Sequence, residues 1–145
     1  MRVKIVLLLA GIVAILFFLL QEDGGNIVRI KIGDGIFNVR VAETQSERER
    51  GLGGTRALAP TEGMLFPFPT NAPHAIWMKD MLIPIDIVWL SDEFLVVDIR
   101  ENVSPDTFPA IFTPKLSARF VVELSAGAVK AFNIKEGSRA EIFAE

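Results

Sequence analysis

The chain has 145 residues, of which 50% are hydrophobic and 23% charged, a composition that fits one globular domain of ordinary size and excludes a disordered protein. Its net charge of −3, from 15 Lys plus Arg against 18 Asp plus Glu, gives no electrostatic reason to expect a nucleic-acid-binding protein. The absence of cysteine and the single histidine exclude thiol catalysis, disulfide bonds and a zinc site made of several His or Cys ligands.

The N-terminal segment has the pattern of a membrane anchor. Residues 5–20 are uniformly apolar or glycine, with Arg2 and Lys4 before them and acidic residues after them. As a helix this run rises about 24 Å, and extending it to residues 3–20 brings it close to the roughly 30 Å hydrocarbon core of a bilayer. A buried core helix, the alternative, would need a polar face, which this run lacks.

The anchor is predicted to stay attached and to divide the chain in two. No small-residue cleavage site follows the apolar run, so residues 1–25 are interpreted as an uncleaved signal anchor with a short linker. Positive charges before the run predict a single-pass protein of the cell membrane with a cytoplasmic N-terminus. Residues 26–145 are then one extracytoplasmic domain.

The first predicted elements of this domain are a β-hairpin and a short helix. Alternating residues at 27–32 and 36–41 flank a Gly33-Asp34-Gly35 turn, a pattern typical of a tight hairpin. Residues 44–47 match a capping box, which predicts a helix over residues 45–50.

The rest of the domain has short strand patterns. All eight prolines lie between residues 60 and 114 and interrupt regular structure there. Ser125 is the predicted cap of a second short helix over residues 126–133. Further strands are predicted over residues 63–66, 74–78, 83–90, 94–100, 118–124 and 139–143. The hairpin-length connections favour a mainly β fold, a compact antiparallel β-sandwich or small barrel with two short helices.

Two carboxylates lie within predicted strands. Strand alternation puts Asp86 on the face opposite its flanking isoleucines, and Glu123 on the same face as Arg119. As a pair, Asp86 and Glu123 would suit a carboxylate-dependent hydrolase if they lay some 5 to 9.5 Å apart. The competing interpretation is that Glu123 and Arg119 lie on the solvated face or pair with each other for stability. For Asp86, a structural and a functional role are equally supported.

Three further residues are candidates for ligand contact. Trp77 and Lys79 share a strand face and could form an aromatic wall beside a cation, suited to a carboxylate or sugar, although a tryptophan is more often core. His74 could act as an acid or base, but a structural role at its loop-to-strand junction is the simpler interpretation. The charged helix residues 47–50 are interpreted as a solvated face, and the glycines at 51–54 follow a helix rather than precede one, which argues against nucleotide binding.

Several ordered motifs together resemble a known family. They lie at residues 42–52, with Thr44, Glu47-Arg48 and Gly51-Leu52, and at residues 63–68, 77–79, 82–87 and 122–127. This combination is similar to the uncharacterised protein family 0127, also called domain-of-unknown-function family 192, over residues 27–143. The resemblance implies a small, mostly β domain, often behind a signal peptide or anchor, with no established activity or cofactor.

The chain departs from that family at two places. Gly53-Gly54-Thr55 stands where the family usually has Met and a nearby Arg, and Asp80-Met81 stands where it favours Asn-Thr. The second departure removes a hydroxyl group from any polar site near Lys79. The family pattern does include Trp77, Lys79, Asp86 and Glu123.

The leading hypothesis is a membrane-tethered module of the cell envelope that binds a small molecule, peptide or glycan. Its expected ligand-binding residues are Trp77, Lys79, Asp86, Glu123 and His74, with no metal and no cofactor. The alternatives are the carboxylate-dependent hydrolase and a structural partner of another membrane protein. The expected partners are the membrane, through residues 3–20, and an unknown ligand or envelope protein, but not nucleic acid.

Overall fold

The computed structural model describes residues 25–143. The predicted anchor at residues 3–20 lies outside the described residues, as do both ends of the chain. Among residues 25–143, no helix is long and apolar enough to cross a membrane.

The described part of the chain forms nine strands and two short α-helices, in agreement with the predicted mainly β class. Their order and bounds are β1 (Ile27–Ile32), β2 (Gly35–Val41), α1 (Gln45–Arg50), β3 (Glu62–Ala72), β4 (Ile76–Trp77), β5 (Ile85–Leu90), β6 (Val96–Val103), β7 (Ile111–Phe112), β8 (Ala118–Ser125), α2 (Ala128–Ala131) and β9 (Ala140–Phe143). A single 3-10 turn, Pro105–Thr107, lies between β6 and β7.

Seven strands form one curled sheet in the order β6-β5-β8-β3-β2-β1-β9, and β4 pairs with β7 in a separate ribbon. The two edges of the large sheet meet near the start of β6, where Leu95 bridges Arg139 and the Val96 N–H donates to the Ser138 carbonyl oxygen at 2.9 Å. Because β6 and β9 touch there but do not pair along their lengths, the curled sheet is a half-barrel, closer to the predicted small barrel than to a sandwich.

The expectation of a purely antiparallel sheet is wrong at one pair. Strands β2 and β3 run parallel, with Val39 opposite Gly63. Residues 42–61 between them hold α1 and a long loop, which is enough chain for the crossover that a parallel pair requires. No side chain of α1 is buried, so this crossover helix lies on the surface of the fold.

Several predicted bounds are also wrong. Strand β3 extends to Ala72, beyond its predicted end at Phe66. Its prolines are tolerated because the pairing with β8 is irregular between Pro67 and Ala72, so no regular hydrogen bond is lost there. The strand predicted at 74–78 is only two residues long, and β7 was not predicted. The second helix begins after Gly127, in the left-handed conformation, instead of after Ser125.

Both faces of the central strands are buried. On the inner face, residues such as Val88, Val122 and Leu124 pack against α2. On the outer face, residues such as Ile87 and Trp89 are covered by the proline-rich segment and the turn after α1. All six residues of β5 are buried, so a polar group on either face must find partners inside the protein.

Candidate functional site

Asp86 lies in the middle of β5 and is fully buried. Its carboxylate accepts hydrogen bonds from the backbone N–H groups of Asn102 and Val129, both at 2.8 Å. The first bond fixes the end of β6, and the second satisfies an N–H in the first turn of α2. The geometry of Asp86 is that of a structural residue, and it does not reach the cleft described below.

Glu123 projects from the opposite face of the sheet. In the pairing of β5 with β8, Asp86 stands opposite Leu124 and Ile87 stands opposite Glu123. Because directly paired residues share a face and neighbours along a strand alternate, the two carboxylates point to opposite faces. The prediction that they form a catalytic pair is therefore wrong.

The Glu123 carboxyl is buried and incompletely hydrogen-bonded. Glu123 is 4% exposed, the Leu52 backbone N–H donates to its carboxyl, and its Oε2 has no hydrogen-bond partner among the described residues. A Cβ placed on Gly51 would lie 3.4 Å from Oε2, so the main chain after α1 packs directly over the carboxyl. Burial raises the pKa of Glu123 to about 8, and the Leu52 hydrogen bond only partly opposes this. The carboxyl is mostly protonated at pH 7.

Glu123 forms the floor of a cleft of about 280 Å³ between α1 and the proline-rich segment. One wall comes from α1 and the turn that follows it, namely Gln45, Arg48, Glu49, Arg50, Gly51 and Leu52. The other wall comes from β3, β4 and the loops on either side of β4, namely Phe68, Ala75, Ile76, Trp77, Lys79 and Met81.

The walls of the cleft carry more positive than negative charge. Arg48 is held in place by hydrogen bonds from its Nη1 to the carbonyl oxygens of Ala42 and Glu43, at 3.3 and 2.9 Å. The Lys79 ammonium lies 5.5 Å from the centroid of the Trp77 ring, which is 44% exposed. With Glu123 protonated, Glu49 is the one negative charge among the described residues that line the cleft, against three basic residues.

The cleft brings together Trp77, Lys79 and Glu123 of the five predicted ligand-binding residues. His74 is not part of its lining. The His74 ring stacks on Phe68 with centroids 3.7 Å apart, and its Nε2 is 2.8 Å from the Thr70 carbonyl oxygen. His74 thus contacts Phe68, a residue of the cleft, without lining the cleft itself.

Sequence reasoning missed the α1 side of the cleft. Sequence patterns interpret Arg48 and Arg50 as part of a solvated charge run and argue against a phosphate-binding loop at residues 51–54, so neither pattern points to a site there. The available signal was the family motif, which includes Glu47-Arg48 and Gly51-Leu52. A surface helix shows no apolar stripe that would predict which way it faces.

The sequence comparisons with known proteins point to one family. The family model DUF192, described as an uncharacterized ACR, matches residues 28–142. A UPF0127 protein of Thermococcus kodakarensis is 29% identical over 99 residues, or 68% of this chain and 60% of the relative. A UPF0127 protein of Thermococcus gammatolerans is 31% identical over 100 residues, or 69% of this chain and 63% of the relative. The matched part is thus about three fifths of the length of these relatives.

Two solved structures share the fold. A crystal structure from Sinorhizobium meliloti, described as that of a candidate transcription regulator, is 31% identical with a TM-score of 0.79, and the match covers 83% of this chain and 97% of that one. A protein of unknown function from Novosphingobium aromaticivorans is 25% identical with a TM-score of 0.78, and the match covers 83% and 89% of the two chains. With the family model matched over nearly all of the described residues, this chain belongs to the DUF192 family, also known as UPF0127.

Proposed function

We propose that this protein is a binding module of the cell envelope, and that the cleft between α1 and β4 takes up a small molecule or one unit of a peptide or glycan. The observation that carries the proposal is the Glu123 Oε2 atom, buried at the floor of the cleft without a hydrogen-bond partner among the described residues. A buried polar atom without a hydrogen-bond partner is costly, so its presence in a native fold calls for a reason, and a role in binding is one such reason.

The size and lining of the cleft support a small ligand. A cleft of about 280 Å³ is near the lower end of the range for small-molecule sites, which are mostly apolar with a few polar groups. Here Phe68, Ile76 and Trp77 supply the apolar surface, while Lys79 and Glu123 supply the polar groups. A folded protein partner could not enter a space of this size.

The positions of the two carboxylates argue against the hydrolase alternative. It required Asp86 and Glu123 in one site, and they lie on opposite faces of the sheet. Asp86 is also fully engaged by two backbone N–H groups, so it has no free role in chemistry.

The envelope location rests on the N-terminal sequence. The apolar run at residues 5–20, with basic residues before it and acidic residues after it, supports a signal anchor and an extracytoplasmic domain. The test is fractionation of cells that express the full chain, followed by protease treatment of intact spheroplasts. A membrane-bound chain with a protease-accessible domain is expected, and a chain recovered in the cytosol would refute the location.

Ligand binding can be tested on residues 25–143. This segment contains both core clusters, and the match to the Sinorhizobium meliloti structure covers 97% of that chain, so we expect residues 25–143 to fold on their own. We expect small molecules from envelope extracts to shift the amide signals of cleft residues in ¹⁵N NMR spectra. Lys79→Gln should weaken those shifts, whereas Lys31→Gln, on the exposed side of β1, should not. Signals that do not move, or that move at random over the surface, would count against a site in the cleft.

A further inference from the structure

The β4–β7 ribbon presents an apolar face to solvent beside the cleft. Ile76 pairs with Phe112 and packs on the outer core, while Trp77 pairs with Ile111 on the other face of the ribbon. Trp77 is 44% exposed and Ile111 is 64% exposed. The Phe108 ring, whose centroid lies 6.1 Å from that of Trp77, extends the same exposed surface. A contiguous apolar surface of this kind typically marks a binding site.

This apolar face is continuous with the cleft. A second, shallower groove of about 240 Å³ is lined by Ala75, Ile76, Trp77 and Ile111. The first three of these residues also line the cleft above Glu123. Trp77 therefore stands between a groove with apolar walls and a cleft with basic walls.

The positive charge of the cleft favours a ligand whose polar end is anionic. No carboxylate among the described residues pairs with the Lys79 ammonium, which instead lies against the Trp77 ring. Arg48 adds a second fixed positive charge to the opposite wall. An anionic group is attracted to this arrangement, and a cationic group is repelled by it.

We propose that the ligand is an amphiphilic organic anion whose acidic head enters the cleft between Lys79 and Arg48 and whose apolar tail crosses Trp77 onto Ile111. This inference rests on the proposed function and narrows it to one class of ligand. A neutral sugar would use Trp77 but would leave the Ile111 side of the ribbon uncovered. Because burial raises the pKa of Glu123, its carboxyl adds little negative charge beside the acidic head.

The test is a set of fluorescence titrations of residues 25–143 with three probes, each kept below its aggregation concentration. Decanoate has the anionic head and the tail, decyltrimethylammonium has the tail with a cationic head, and acetate has the head alone. The chain has two tryptophans, and because Trp89 is fully buried, the ligand-dependent change is expected from Trp77 and should vanish in Trp77→Phe. Decanoate is expected to bind saturably and at least about tenfold more tightly than either of the other probes.

Variants distinguish the head contact from the tail contact. Lys79→Gln should weaken decanoate binding about fivefold, as expected for one partly exposed ion pair. Ile111→Ser should weaken it about tenfold through loss of apolar contact. Both side chains are exposed, so both variants are expected to fold normally. Lys31→Gln is the matched control and should bind as the wild type does.

Other outcomes overturn the inference. Equal binding of decanoate and decyltrimethylammonium would show that the charge of the head is not recognised, and decanoate binding unchanged by Ile111→Ser would show that the tail lies elsewhere. If decanoate does not bind but a sugar shifts the cleft signals, the inference is wrong and the proposed function stands. If no compound shifts those signals, both fail. Sedimentation with phosphatidylglycerol vesicles that is lost in Ile111→Ser, without any response to decanoate, would instead assign the apolar face to membrane docking.

Discussion

Replacing Glu123 by glutamine tests the central feature of the site, a carboxyl buried at the floor of the cleft. Glutamine has nearly the same shape and can still accept the hydrogen bond from the Leu52 N–H, but it cannot ionise. The charged groups that share the cleft with Glu123 are Arg48, Arg50, Lys79 and Glu49. The variant therefore separates the ionisation of one side chain from its packing.

The expected effect depends on pH with a definite sign. Burial raises the pKa of Glu123 in the folded protein from 4.5 to about 8. Between these values the unfolded chain releases the proton while the folded chain retains it, so the stability of the wild type falls as the pH rises. The difference between the two pKa values corresponds to an upper bound of about 5 kcal/mol, at about 1.4 kcal/mol per pH unit. Because glutamine does not ionise, the free energy of unfolding of Glu123→Gln should not fall with pH through this side chain.

The assay is urea unfolding of both proteins at pH 5, 7 and 9, followed by circular dichroism. At pH 5 the two free energies of unfolding should agree within about 1 kcal/mol. At pH 7 the variant should be more stable by up to about 3 kcal/mol, and at pH 9 by up to about 5 kcal/mol. Taking the difference between variant and wild type cancels the titration of all other groups.

Glu49→Gln is the matched control, because Glu49 lines the same cleft but is exposed and bonded to Gln45. It should differ from the wild type by less than about 0.5 kcal/mol at every pH. A Glu123→Gln difference that stays constant from pH 5 to pH 9 would refute the reasoning, since it would mean that the carboxyl is solvated or paired when ionised.

Three further predictions concern the residues that shape the site. Asp86→Asn should lower the free energy of unfolding by about 2–4 kcal/mol, because an amide oxygen cannot replace both carboxylate contacts; an unchanged urea midpoint would contradict a structural role. Burial by itself would raise the pKa of Asp98, but hydrogen bonds from the Lys115 N–H and other donors outweigh it and hold the pKa below 3.8. The stability that ionised Asp98 contributes should therefore be lost as the pH falls below about 4. The melting temperature of Asp98→Asn should accordingly change less below that pH than the melting temperature of the wild type. Gly51→Ala should cost about 1–2 kcal/mol and shift the Leu52 amide signal in NMR spectra, since φ is +53° and the new Cβ would touch Glu123; a variant with wild-type stability would show that the turn can relax.

The local elements were largely predictable. The hairpin of β1 and β2 followed from alternation around a Gly-Asp-Gly turn, and the structure confirms the hairpin, although Gly35 belongs to β2, opposite Ile32, and not to the turn. The helix at Gln45–Arg50 followed from the Thr44 and Glu47 capping box, and both reciprocal hydrogen bonds are present. Both patterns are formed by one continuous stretch of the chain, the hairpin by residues 27–41 and the helix cap by Thr44 to Glu47, so the residues that make the contacts are neighbours in the sequence.

The relation between the two carboxylates was not predictable. Alternation correctly put Asp86 and Glu123 each on one face of its own strand, but it cannot say which face of one strand matches which face of another. That depends on the register between β5 and β8, in which Ile87 stands opposite Glu123. A one-residue change of that register would have placed the two carboxylates on the same face.

By itself, the sequence determined the fold class, the hairpin, the capped helix and the family, because these depend on composition and on short-range patterns. It also marked Trp77, Lys79 and Glu123 as residues to examine. Only the tertiary structure decided that these three meet in one cleft, that α1 supplies the opposite wall, and that Asp86 is excluded from it. The physical reason is that a binding site is made of contacts between distant segments, and their geometry is fixed by strand register and by the packing of a crossover helix, neither of which local patterns encode.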